Sequence, residues 1–356
     1  MLGLLLRRIQ QSVNGKSCDE FEVEWPAPVV MCLQHRGQKN SGLFYADATL
    51  NVKLRISRGF LLTAILLAVL LLADDGSGSA SQPDSWLAQR ACSVVGTAPP
   101  PDTAVAGCPG LDGLVTLARQ AITGATTPAE TIELLNHFFF QTEKFQVTYD
   151  LSSSDHLLPG PVIAGKKGYC VGLATIYLIL AEELNLPIHA VATPKHVFLR
   201  WDDGRFRRNI ELFQAGREVP DKDYIREQKI PQASIGRGVF LANLTDREFL
   251  GFIYQNLGVL ESQRGEFEES RENYDRAIHF NSKLAAAYYN RGNDQLKQKN
   301  YKKAIRDYTK ALKLYPTDAW ALWNRGLAWK GLGEMEKAEK DQALAKEIDP
   351  TFHPTQ

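Results

Sequence analysis

Gly258, Gly292 and Gly326 stand 34 residues apart, and Ala277, Ala311 and Ala345 keep the same interval. Asn256, Asn290 and Asn324 precede those glycines by two residues, Ala304 matches Ala338, and Pro316 matches Pro350. A fixed period of this length means one supersecondary unit repeated in series, each copy burying its apolar face against the next. Small residues at set places suit two helices that cross closely, and a proline cannot continue the helix it follows. The C-terminal third is thereby restricted to helical hairpins stacked in a row.

Glycine at position 8 of the period, alanine at 20 and 27 and proline at 32 resemble the tetratricopeptide repeat. Two copies match well, and the first is degenerate, with Ser270 and Ser282 at two signature positions. Three repeats would form an all-α solenoid over 246–352, its six helices bounding a short concave groove. In that family the positions of Asn256, Asn290 and Asn324 face the groove and can hydrogen-bond an extended peptide, so the resemblance implies a protein or peptide ligand. The family's clamp for a terminal carboxylate wants basic residues four places earlier, where this chain has Phe252, Ala286 and Trp320, so that specificity is not expected. Trp320, Trp323 and Trp329 are expected to pack inside the last repeat.

Lys plus Arg equals Asp plus Glu, 41 against 41 in 356 residues, which gives no argument for a nucleic-acid partner. Five cysteines, at 18, 32, 92, 108 and 170, are too few for a disulfide-built scaffold, and none has zinc-site spacing. No metal or cofactor is expected. Residues 1–52 show no useful periodicity and are assigned no fold. Lys53, Arg55 and Arg58 then precede an apolar run at 60–73, followed by Asp74 and Asp75. A run of this length falls short of the roughly 20 residues needed to cross a bilayer and suits a secretory signal. Gly78-Ser79-Ala80 is a plausible cleavage site. Segment 53–80 therefore reads as a signal peptide or short signal anchor. The expected location is exported, periplasmic or membrane-anchored, with membrane contact only through 60–73. Residues 81–110, rich in Ser, Pro, Gly and Ala, read as a linker. Cys92 and Cys108 bracket Pro99-Pro100-Pro101 and could close a 17-residue loop in an oxidising compartment.

Between linker and repeats, 111–245 alternates helical and strand patterns. Apolar residues recur at helical spacing over 111–122 and 131–140, with Pro128 as an opener. An apolar helix follows Cys170 and ends near Leu184, before Pro187. Segments 188–193, 196–201 and 206–213 read as three strands, with a hairpin turn at Asp202-Asp203-Gly204. This makes an α+β domain. A thiol at a helix start, then His196 and Glu211 on successive strands, supplies a nucleophile, a base and an orienting group. Backbone N–H groups at the helix start, with Lys166 and Lys167 nearby, are expected to favour the Cys170 thiolate. Gly168 and Gly172 are read as room for a substrate chain. Strand alternation puts His196, Phe198 and Arg200 on one face, against a cleft wall or a neighbouring helix, and Val197, Leu199 and Trp201 on the other. Asn209 and Glu211 share a side of the next strand, where a partner for the imidazole would come from.

Residues 132–216 resemble the transglutaminase-like superfamily, in the branch running Asn-x-x-Phe-Phe, Gly-x-Cys, Pro-x-His-x-Phe-x-Arg-Trp and Asn-Ile-Glu. Here these are Asn136-His137-Phe138-Phe139, Gly168-Tyr169-Cys170, the run Pro194 to Trp201, and Asn209-Ile210-Glu211. The resemblance implies a papain/transglutaminase-like core with Cys170 as nucleophile, His196 as base, and Glu211 with Asn209 holding the imidazole. Glu211 stands where the family usually has Asp, and no tryptophan lies between Trp86 and Trp201 to serve as a second oxyanion donor. The expectation is therefore a thiol hydrolase of peptide or amide bonds, working through a thioester, rather than a cross-linking transferase. The alternative is a non-enzymatic interaction protein whose transglutaminase-like module is catalytically silent.

Overall fold

The computed structural model describes residues 86–93 and 108–351. The apolar run at 60–73 and its proposed cleavage site lie outside the described residues. Helices α1 (Trp86–Cys92), α2 (Leu111–Ala121) and α3 (Pro128–Asn136) lead into a two-residue strand, β1 (Gln146–Val147), paired in parallel with β2 (Lys167–Gly168) after α4 (Pro159–Gly165). Next come α5 (Cys170–Glu183), β3 (Ile188–Ala192), β4 (Val197–Asp202) and β5 (Arg207–Ile210), the last three forming an antiparallel sheet in chain order. Two short helices, α6 (Asp221–Gln228) and α7 (Gln232–Gly236), precede six longer ones, α8 (Asp246–Arg264), α9 (Phe267–Phe280), α10 (Ala285–Lys297), α11 (Tyr301–Leu314), α12 (Ala319–Gly331) and α13 (Met335–Ile348). A mixed α+β domain followed by a repeat solenoid is the architecture expected from the sequence.

Local chemistry explains the boundaries. Thr127 and Glu130 form a reciprocal capping box around Pro128 at the start of α3. Gly204 takes a left-handed φ of 80° at the β4–β5 hairpin, and Asp203 accepts the amides of Arg205 and Phe206 there. In the repeats, a Cβ on Gly258 or Gly292 would come within 2.7 or 2.8 Å of Tyr274 or Tyr308 on the partner helix, so only glycine allows the crossing. Arg291 bonds Asp307 through two nitrogens, and Arg325 bonds Asp341 in the same way. Leu257 and Asn273 take those places in the first repeat, whose degeneracy costs it this pair.

α5 has no solvent face. Every residue from Cys170 to Ala181 is buried, against α1, α4, α8, β3 and β4 among others. Segment 81–110 is not only linker. Leu87 and Ala91 of α1 are fully buried, the Glu182 carboxylate accepts the amides of Trp86 and Leu87, and a Cys92–Cys108 disulfide ties the segment down. Seven residues are too few to show a helical period, which is why composition alone points to a loop.

The repeats share this core. Phe249, Leu250, Phe252 and Ile253 of α8 join the cluster around α5. Further along, Tyr315 meets Phe240 edge to face at 5.2 Å, and the Ser234 hydroxyl donates to the Leu314 carbonyl. Trp323 packs in the last repeat as expected, whereas Trp329 packs against a cluster that includes Ala304, Ile305 and Tyr308 of the preceding repeat, and Trp320 is about half exposed.

Candidate active site

Cys170 is the first residue of α5, with Tyr169 at the cap position. The backbone amides of Val171 and of Val197, the first residue of β4 and next in sequence to His196, favour the charged form of the Cys170 thiol. The Nε2–H of His196 donates to the Glu211 carboxylate and lies 2.9 Å from both Oε1 and Oε2. A carboxylate can only accept, so this contact puts the neutral imidazole's proton on Nε2 and leaves Nδ1 as the basic nitrogen. The structure pairs His196 with Glu211, and Cys170 begins α5.

Glu211 is 4% exposed, follows β5 and opens a tight turn. Burial pushes its carboxyl up, but the His196 contact, the Tyr224 hydroxyl and the Phe213 amide outweigh it and hold the pKa below the ordinary value. Tyr224 on α6 donates to Oε2 at 2.5 Å, and the Phe213 amide donates to Oε1 at 2.9 Å. The Phe213 ring covers the imidazole with centroids 4.9 Å apart, and the exposed Tyr149 ring meets Phe213 edge-on.

The turn that carries Glu211 is locked to α5. The Tyr177 hydroxyl, two helical turns beyond Cys170, donates to Asn136 Oδ1 at 2.9 Å, and Asn136 Nδ2 donates to the Gly216 carbonyl at 3.1 Å. Gly216 has a φ of 82°, and a Cβ there would lie 2.2 Å from the Asn136 side chain. Gly216 N–H in turn donates to the Glu211 carbonyl. One polar relay thus connects α5 to the turn that carries Glu211.

Three expectations need correction. Asn209 does not touch His196: its side chain bonds Arg200 Nε, the Val219 carbonyl and Asp221 Oδ1. Glu211 lies past the end of β5, where strict alternation no longer applies, so the two residues part company. Burial pushes the Cys170 thiol up to about 12, with the Glu211 charge adding to the effect, and the backbone amides offset this only in part. Lys166 does not counter it, since its ammonium bonds Glu143 at 2.5 Å. Gly168 and Gly172 admit the chain itself rather than a substrate, because a Cβ on Gly172 would lie 2.3 Å from the His156 carbonyl and one on Gly168 3.0 Å from Leu173. On the His196 face, Phe198 and Arg200 are wholly buried, covered by the neighbouring helix α6 and residues 239–241.

In the repeats, Asn256 is buried and its amide donates to the Phe252 carbonyl one turn back, since the first repeat faces the α+β domain. It cannot line an open groove. Asn290 is partly exposed, and Asn324 donates to Asn293 at 2.9 Å. A cleft of about 480 Å³ opens against Asn136, Arg208, Gly216 and Arg217, and none of Cys170, His196 or Glu211 lines it. Among the described residues no cluster of side chains has the makings of a metal site. Sequence reasoning missed Tyr224, whose only signal is an aromatic residue in an otherwise charged helix.

Residues 109–251 match the profile of the Transglutaminase-like superfamily, and 260–299 and 285–318 match tetratricopeptide repeat profiles. The chain carries a transglutaminase-like domain followed by tetratricopeptide repeats. The curated relatives match over short stretches of this chain. Hsp70-Hsp90 organizing protein 1 of Glycine max is 37% identical over 87 residues, which is 24% of this chain and 15% of the relative. The heat-shock protein cognate co-chaperone sgt12 of Aspergillus fumigatus is 41% identical over 61 residues, 17% of this chain and 18% of the relative. The chain thus spans under a fifth of the length of either. Among solved structures, MamA is 29% identical with a TM-score of 0.28, covering 28% of this chain and 58% of that one. The Arabidopsis OM64 TPR domain is 23% identical with a TM-score of 0.29, covering 30% of this chain and 88% of that one.

Replacing Asn136 with alanine leaves the Tyr177 hydroxyl and the Gly216 carbonyl without their partner. A loss of about 1–3 kcal/mol in denaturant unfolding is expected, and a change near zero would mean the relay carries no weight.

Proposed function

We propose that the transglutaminase-like domain is a cysteine hydrolase of peptide or amide bonds. The observation that carries this reading is the part-buried His196–Glu211 pair, its basic Nδ1 left over, in a domain whose free thiol begins a helix. Cys170 would attack the carbonyl carbon as His196 Nδ1 takes the thiol proton. The oxyanion would be met by backbone N–H groups at the start of α5. His196 would then protonate the leaving amine as the C–N bond breaks, giving a thioester on Cys170. Water, deprotonated by the same imidazole, would attack the thioester, release the acid and return the thiol. Glu211 holds the tautomer this sequence needs and stabilises the imidazolium that forms.

The raised thiol pKa decides how activation works. A resting thiolate is disfavoured at 4% exposure, so His196 must act as a general base during attack rather than hold a standing ion pair. The same burial favours a second reading, in which the domain is a silent recognition module. Iodoacetamide labelling of the folded protein separates them. Labelling of Cys170 should accelerate as pH rises and fall at least about tenfold in His196→Ala, the usual scale of a lost general base. Labelling only after denaturation, indifferent to His196, would favour the silent module.

Export is proposed from the basic-then-apolar pattern of 53–80, and it agrees with the Cys92–Cys108 disulfide, a bond that persists in oxidising compartments. Fusing residues 1–100 to a reporter that works only outside the cytoplasm should give an active reporter, and an inactive one would refute export.

The repeats are proposed to hold a protein or peptide partner. The likeness to Hsp70-Hsp90 organizing protein 1 of Glycine max, 37% identical over 87 residues, motivates the class of ligand but not its identity. With Asn256 buried, the surface left for it is that of Asn290 and Asn324. Asn290→Ala with Asn324→Ala should abolish partner capture in a pull-down, whereas Asn256→Ala should act on stability instead. Capture unchanged by the double substitution would place the surface elsewhere.

A further inference from the structure

We propose that Tyr224 is a positioning residue for the Cys170 site, its hydroxyl fixing the Glu211 carboxylate across His196 Nε2. The inference rests on the hydrolase reading and adds a fourth member to the chain of groups behind the thiol.

Three observations carry it. The hydroxyl lies 2.5 Å from Glu211 Oε2, and Tyr224 is 5% exposed, so water does not compete for the contact. The ring has little freedom, because it stacks on Phe198 with centroids 4.5 Å apart and planes 3° from parallel. Its helix is itself pinned, since Asp221 at the start of α6 accepts Arg200 Nη2 at 2.5 Å and Asn209 Nδ2 at 2.7 Å. The Arg200–Asn209–Asp221 cluster, which brings no side chain to the imidazole, thus serves to fasten the helix that presents Tyr224. Phe198 lies between the two systems, two residues from His196 and under the Tyr224 ring.

Both Glu211 oxygens are engaged. Oε1 accepts the Phe213 amide and Oε2 the Tyr224 hydroxyl, and Nε2 lies 2.9 Å from each. With a donor on either side, the carboxylate cannot rotate without losing one of them. The charged groups facing Tyr224 are Glu211, Asp221 and Glu227, and Lys195 adjoins His196 in sequence. Burial first, and then the three carboxylates around it, keep the phenol protonated, so it donates here.

A hydroxyl donated to a carboxylate spreads the anion's charge. Removing it leaves Glu211 more basic, which strengthens its hold on the Nε2 proton and stabilises the imidazolium. The test is the titration of the His196 ring, followed by NMR in full-length protein carrying Cys170→Ala so that the thiol does not couple. Tyr224→Phe keeps the stacked ring and should raise the His196 midpoint by about half to one pH unit. In a Glu211→Gln background the same substitution should produce no shift, since its effect passes through the carboxylate. Incorporating 3-fluorotyrosine at 224 makes the hydroxyl a stronger donor and should move the midpoint the other way, with the core left intact.

An unchanged midpoint in Tyr224→Phe, or an equal shift with Glu211 replaced, would overturn the proposal. None of these readings needs turnover. Their failure would remove Tyr224 from the site and leave the hydrolase reading to stand or fall on the labelling of Cys170.

Discussion

The α+β domain is arranged around α5, a helix buried on every side from Cys170 to Ala181. Its position is thereby fixed. At roughly 1.5–3 kcal/mol for each large apolar side chain removed from water, it is the main apolar investment of the domain. Because interiors are close-packed, a helix held this way presents its first residue in one place only. That residue is the thiol. The cost of such placement is the thiol's own acidity, since the burial that positions Cys170 also disfavours its charged form.

The same helix makes the repeats part of the domain. α8 sends Phe249, Leu250, Phe252 and Ile253 into the core around α5, and the end of α11 rests on Ser234 and Phe240. The first repeat has traded its open surface for this contact. Asn256 is turned back on its own helix, and the arginine–aspartate pair of the later repeats is missing. A partner held by the remaining surface would be held by the same compact unit that carries the thiol.

Much of this was legible in the sequence because it depends on local pattern. The 34-residue period, the Gly204 turn, the three strands and the order of Cys170, His196 and Glu211 all follow from spacing along the chain. What escaped depends on contacts between segments distant in sequence. Alternation placed Asn209 with Glu211, but the strand ends between them, so one joins Arg200 and the other His196. Tyr224 and Asn136 act through partners 13 and 80 residues away, which no periodicity reveals. The acidity of Cys170 was misjudged for a related reason: the helix start and the lysines are visible in sequence, whereas complete burial and the turning of Lys166 to Glu143 are not.

The central claim is that Cys170 takes up an acyl group with His196 as its base. Mass mapping of the folded protein after brief exposure to p-nitrophenyl acetate tests it most directly. The account predicts an acyl group on the Cys170 peptide, released by hydroxylamine, absent from Cys170→Ala and formed far more slowly in His196→Ala. Acylation confined to surface lysines, and the same in all three proteins, would contradict it.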